Sequence, residues 1–306
     1  MSRRAAAVAL VAACAAVAFA TGWARATAPD DGPARAAPGA AGPERHTGPQ
    51  GRVGQFVVRC GYDHSAPDDP IVHFGHAGRS HRHDFYGAVG VGADSTAGDL
   101  ARAGTTCDLR ADTAAYWHPT VYDGDAPLEP RGLVAYYRAA PGVAPGAVEP
   151  FPFGLAMVAG DATATAPQAG EAVGWTCGTS TRLADAPPAC PARAPLHLVV
   201  TFPDCWDGRR LDSPDHRSHV AYSAGGRCPA GHPVHVPQLT VAVELPVWGH
   251  GRALRLASGN VYSLHGDFLN AWDPDGLERE VEACIRRDVV CGLASNRAEE
   301  APFFHG

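Results

Sequence analysis

The chain has 306 residues, a formal net charge of −7 and no lysine; all 25 of its basic residues are arginine. Without a lysine amine there is no Schiff-base or pyridoxal-phosphate chemistry and no Walker-type phosphate loop. An acidic chain lacking a basic stripe also argues against nucleic acid or an anionic membrane as partner.

The chain opens on Met1-Ser2-Arg3-Arg4 and an apolar Ala/Val-rich run from Ala5 to about Trp23, followed by small residues at Ala24-Arg25-Ala26 and Ala26-Thr27-Ala28. This pattern predicts a secretory signal peptide over residues 1–26 and a secreted, extracellular protein. Its removal takes Arg3, Arg4 and Arg25 and no acid, leaving a charge of about −10. An uncleaved anchor is one alternative, because the run is nearly long enough to span a bilayer. A lipoprotein signal is another: Val11-Ala12-Ala13-Cys14 resembles a lipobox, although the apolar run continues well past Cys14. No other segment approaches ~18 uninterrupted apolar residues, so no membrane span is expected in the mature chain. Residues 27–52 are rich in Pro, Gly and Ala and read as a disordered linker. Residues 53–300 then form one globular domain, long enough for a sizeable core.

Strands are expected at Gln55–Cys60, Gly132–Arg138, Phe153–Ala159, Leu196–Phe202, Leu239–Leu245 and Ala253–Ala257, each bounded by turn residues. One helix is expected near the C-terminus. Asp275 would cap it with Glu278 three residues on, and Leu277, Val281, Cys284 and Ile285 fall on one face. Arg286 and Arg287 near its end suit the helix dipole. With 27 prolines and 35 glycines, the predicted class is mostly β (α+β). It is a single disulfide-stapled β-sandwich or jelly-roll-like domain with long loops and one C-terminal helix.

Eight of the nine cysteines lie beyond the leader, and an even count behind an export signal predicts disulfides. Proximity suggests Cys60–Cys107, Cys177–Cys190, Cys205–Cys228 and Cys284–Cys291. A thiolate metal site is the alternative, but there is no Cys-x-x-Cys pair.

Between the cysteines lie histidine–carboxylate motifs. His81-Arg82-His83-Asp84-Phe85 places two imidazoles two apart, on one side of an extended segment, where both reach one ligand or metal. His219 stands in Ser218-His219-Val220-Ala221-Tyr222 as a candidate general base, with Tyr222 able to carry a proton. No Gly-x-Ser-x-Gly elbow accompanies Ser218, which argues against a serine nucleophile. In His265-Gly266-Asp267-Phe268-Leu269-Asn270-Ala271-Trp272 a carboxylate again neighbours a histidine and can set its tautomer. Asp204 and Asp207 flank Cys205-Trp206 and form either a carboxylate pair for glycoside hydrolysis or an Asx turn. Ala115-Tyr116-Trp117-His118-Pro119 offers rings that could stack on sugars or equally fill the core. The candidate catalytic set is therefore His83, Asp84, His219, His265 and Asp267. His81, Trp117, His118, Asp204, Asp207, Tyr222 and Asn270 are the candidate substrate contacts. No cofactor is required; if a metal binds, zinc or copper on His83, His219, His265 and Asp267 is the expected set.

Taken in order, these motifs resemble the secreted family catalogued as DUF1996, with the likeness running from about Asp69 to Cys291. The positions matching its motifs are His81, His83, Asp84, Asp204, Asp207, Ser218, His219, His265 and Asp267. The family occurs in actinobacteria and filamentous fungi, where some members carry carbohydrate-binding WSC modules. The resemblance implies a cell-wall or polysaccharide setting and no particular activity. The reading that follows is an extracellular protein with a His/Asp-lined polar cleft, acting on polysaccharide as a hydrolase or lyase by acid–base catalysis. A non-catalytic glycan or wall binder and a zinc or copper protein are the alternatives.

Overall fold

The computed structural model describes residues 54–168, 172–249 and 253–291, and the backbone of the two-residue strands Thr47–Gly48 and Gly51–Arg52. The expected signal peptide and Cys14 lie outside the described residues, as does most of the expected linker. Among the described residues no helix is long and apolar enough to cross a membrane.

The architecture is a β-sandwich. Eleven strands form its two layers: β1 (Gln55–Cys60), β2 (Tyr62–Ala66), β3 (His83–Gly87), β4 (Ala115–Pro119), β5 (Gly132–Arg138), β6 (Ala156–Gly160), β7 (Val173–Cys177), β8 (Leu196–Thr201), β9 (Gln238–Glu244), β10 (His265–Leu269) and β11 (Val290–Cys291). One layer is an antiparallel five-stranded sheet ordered β6-β10-β4-β3-β2. The other has six strands ordered β7-β8-β9-β5-β1-β11, antiparallel except for the parallel pair β1/β11.

Alternation decides which side chains meet between the layers. Phe56 and Val58 of β1, Leu133, Ala135 and Tyr137 of β5, Leu198 and Val200 of β8, and Leu239, Val241 and Val243 of β9 turn inward. They join Tyr86, Tyr116, Met157 and Phe268 from the five-stranded sheet in one buried core. Each such side chain contributes ~1.5–3 kcal/mol on burial. The outer face of the five-stranded sheet is not open to water either. Phe85, Ala115, Trp117, Val158 and Leu269 pack there under Ile71, Val91 and Leu100 from the chain between β2 and β4.

Four disulfides join Cys60–Cys107, Cys177–Cys190, Cys205–Cys228 and Cys284–Cys291, the pairing that proximity suggested. The C-terminal helix is present at Pro274–Glu280 and runs on as a single π-turn over Val281–Ile285. Its cap is Asp273 and not Asp275: Pro274 occupies the first turn, and Asp273 Oδ1 accepts from the Gly276 amide at 2.7 Å. The strand expected at Phe153–Ala159 starts three residues later, because Pro152-Phe153-Gly154 forms a turn in which Gly154 takes φ +86°. The larger difference concerns β3, β4 and β10, which are not among the expected strands: all three are central in their sheet, so the histidine motifs sit on rigid sheet.

Candidate functional site

Three neighbouring strands bring the site together on the outer face of the five-stranded sheet. In β3, Tyr86 points into the core, so His83 and Phe85 point outward. In β10, Phe268 points inward, so His265, Asp267 and Leu269 point outward. Register places Asp267 opposite Trp117 of β4 on one side and opposite Val158 of β6 on the other. His81, two residues before His83 in extended chain, turns to the same side. Its ring centroid lies 4.3 Å from that of His83 and 4.9 Å from that of His265.

One ring nitrogen from each of His81, His83 and His265 lies within 4.8 Å of the others. Which nitrogens these are follows from the hydrogen bonds. His83 Nδ1 lies 2.9 Å from the Asp68 carbonyl oxygen and His265 Nδ1 lies 2.8 Å from the Ser263 carbonyl oxygen. A carbonyl only accepts, so both Nδ1 atoms carry the proton and both Nε2 atoms present a lone pair. His265 Nε2 is 3.1 Å from His81 Nε2. His83 Nε2 is buried with no hydrogen-bond partner. Burial foremost holds all three imidazoles neutral: it takes His81 to about 4 and His265 to about 3, and His83 well below its usual value. Neutral rings with converging nitrogens, two of them with Nδ1 tied to backbone, form the donor set of a metal ligand shell.

His81 and His265 open onto a cavity of about 370 Å³, with His83 buried behind them. Asp267 lines it, and both its carboxylate oxygens are buried without a partner. Burial, and then the nearby Asp69, raise its carboxyl well above the ordinary range. Asp69 is also raised by burial, although its Oδ1 accepts from the Ile71 and Val72 amides at 2.9 Å. Arg217 reaches in along the edge of the sheet, its Nη2 donating to the Gly160 carbonyl at 2.6 Å. His73, Asp161 and His216 complete the mouth, His216 in a left-handed backbone conformation at φ +56°.

The other candidates lie elsewhere. Asp84 follows His83 but points to the opposite face, where its Oδ1 accepts from Ser65 Oγ and Thr120 Oγ1, each at 2.7 Å. The echo between His83-Asp84 and His265-Gly266-Asp267 is thus a likeness of letters: one extra residue puts Asp267 on the site face and leaves Asp84 off it. His118 shares Asp84's face, its Nε2 2.9 Å from the Tyr86 hydroxyl. His219 does not join the imidazole cluster. It is fully buried, with Nδ1 2.8 Å from Ser213 Oγ and Nε2 2.7 Å from the Ala156 carbonyl. Trp117 is 2% exposed and packs as core, so no sugar stacks on it. Asp207 closes a turn, accepting from the Arg209 and Arg210 amides, the Asx reading of that motif. Asp204 is buried, with Oδ1 accepting from the Ser223 amide. Asn270 is buried and donates to the Pro152 carbonyl. Tyr222 lines a different groove. Sequence reasoning did not single out Asp69, Asp161 or Arg217, which carry no motif spacing. The one local signal was the Asp69-Pro70 step, which favours a turn, and Asp69 does cap the turn ahead of Ile71.

No curated protein and no solved structure matches the chain. The family model described as "Domain of unknown function (DUF1996)" matches residues 69–272, two thirds of the sequence and all three imidazoles of the cluster, and the chain accordingly belongs to the DUF1996 family.

Proposed function

We propose that this is an extracellular protein acting on cell-wall or other extracellular polysaccharide as a hydrolase or lyase, at a transition-metal site held by Nε2 of His81, His83 and His265. One observation carries the metal: three neutral imidazoles bring a ring nitrogen each into one small space, and the buried Nε2 of His83 has no partner to offset its desolvation. Three imidazoles with no thiolate suit zinc or copper, the eight described cysteines all being in disulfides. Bound there, such an ion would supply Lewis acidity and a lowered pKa for a coordinated water. Relative to the expected ligand set, His81 takes the place of His219, and Asp267 stands beside the imidazoles in the cavity wall.

The chain's own residues supply the rest. Asp267 and Asp69, whose carboxyls burial raises above the ordinary range, are the groups in the cavity that would serve as general acid or base. Arg217 offers a fixed positive charge at the mouth. The four disulfides support the extracellular setting, in keeping with the expected signal peptide. The polar cavity wall supports a hydroxyl-rich substrate.

The test is elemental analysis of leaderless protein purified without chelator, with His83→Ala and His265→Ala alongside. The expected result is about one equivalent of zinc or copper in the wild type and loss of it in both variants, with a lower Tm when the metal is stripped. Metal-free wild type with no thermal shift on adding either ion would overturn the metal site. Undiminished polysaccharide turnover by Asp267→Asn would remove the acid–base role.

A further inference from the structure

A second depression, of about 780 Å³, lies over the outer face of the six-stranded sheet. Its floor is polar. Thr201 of β8, Thr240 and Gln238 of β9, and Arg138 of β5 occupy the outward positions, since their neighbours Val200, Leu239, Val241 and Tyr137 fill the core. The floor is also braced. Thr201 Oγ1 and Thr240 Oγ1 lie 3.1 Å apart, and Arg138 Nη2 donates to Gln238 Oε1 at 3.1 Å.

Tyr222 forms one wall. It is 41% exposed, yet its hydroxyl is turned inward and donates to the Thr201 carbonyl at 2.8 Å. The polar end of the side chain is therefore consumed, and the ring is pinned with an apolar face presented to the groove. A fixed aromatic face beside hydroxyl, amide and guanidinium groups matches a sugar ring, which offers C–H groups on its faces and hydroxyls on its rim. Charge points to an uncharged sugar. Arg138 is offset by the nearby Asp204, and Arg182 shares its wall with Asp185.

Arg217 lines the histidine cavity, bonds the carbonyls of Val158 and Gly160 on edge strand β6, and acts electrostatically on Tyr222 as well as on His265 and Asp267. We propose that the Tyr222 groove is a saccharide-binding site that holds a neutral polysaccharide chain, an inference independent of the metal site proposed above.

The experiment is depletion of the protein from solution by insoluble cellulose, chitin and β-1,3-glucan. It uses wild type, Tyr222→Ala, Tyr222→Phe and a His83→Ala/His265→Ala double variant, each checked for an unchanged far-UV spectrum. Wild type is expected to bind at least one polymer. Tyr222→Ala is expected to bind it about tenfold more weakly, the effect of losing one aromatic platform, and Tyr222→Phe, which keeps the ring, to lose less. The double variant is expected to bind like wild type. Failure to bind any of the three polymers, or wild-type binding by Tyr222→Ala, would overturn the groove. So would loss of binding in the double variant alone, which would move the saccharide into the histidine cavity and leave the proposed function standing. Metal-free protein that still binds through Tyr222 would sink the metal site and keep the groove.

Discussion

Asp112 shows how one buried carboxyl contributes to the pH response of the domain. It is fully buried between the sheets, where its Oδ2 takes a 2.6 Å hydrogen bond from the Tyr116 hydroxyl and its Oδ1 accepts from the Ala114 amide. The Tyr116 hydroxyl is bonded in turn to that of Tyr137, and Trp272 Nε1 donates to Tyr137 at 3.1 Å. Burial pushes the Asp112 carboxyl up to about 8, against the hydrogen bond from Tyr116. The folded chain therefore holds a proton that the unfolded chain has already released. That contribution is fully present below about pH 4 and is lost as pH rises through about 8. Denaturant unfolding between pH 7 and 8, above the range in which the buried neutral histidines respond, is expected to show stability falling with pH, with Asp112 contributing up to ~1.4 kcal/mol per unit. Asp112→Asn is expected to make the slope shallower, and an equally steep slope in that variant would rule out Asp112 as a source.

At the scale of the element, the site depends on how closely β6 approaches β10. Gly160 is opposite His265 in register and takes φ +80°, a conformation that costs a residue with a side chain. A Cβ there would meet the Leu264 carbonyl oxygen at 2.5 Å and His265 Cα at 2.9 Å. The same residue's carbonyl receives Arg217 Nη2. Gly160→Ala is expected to cost ~1–3 kcal/mol of stability and also to weaken metal binding without removing any ligand. Thermal melts and metal titration read the two effects separately. If the variant loses stability but binds metal like wild type, β6 does not position His265. This sheet also shows what was hard to read. Strands β3, β4 and β10 are buried on both faces, so they lack the alternation of wet and dry residues that marks a half-exposed strand and are not among the expected strands. His83, His265 and Asp267 stand at their outward positions.

At the scale of the molecule, the disulfides close loops of very different length, with sequence separations of 47, 23, 13 and 7 residues. Chain entropy makes the longest closure the most stabilising. Cys60–Cys107 ties β1 of the six-stranded sheet to the segment that leads into β4 of the other layer. Replacing that pair by alanine is expected to cost ~4 kcal/mol, against ~2–3 kcal/mol for Cys284–Cys291. Unfolding free energies of the four double variants give the ranking directly. An inverted order would show that local packing, and not loop closure, decides their worth.

What the sequence determined by itself was what local chemistry controls. Cysteine proximity yielded all four pairings, because each bridge closes the shortest loop on offer. The β-branched runs marked β5, β8 and β9, and the spacing of His81 and His83 placed both rings on one side of an extended chain. Tertiary structure alone decided which histidines meet. His81 and His265 are 184 residues apart and touch only because β10 and β3 both flank β4. His219 and Asp84 carry equally suggestive letters, yet are turned away by their own hydrogen bonds and by strand parity. Parity within a strand follows from geometry, but which face becomes a site is fixed by what the rest of the chain packs against it.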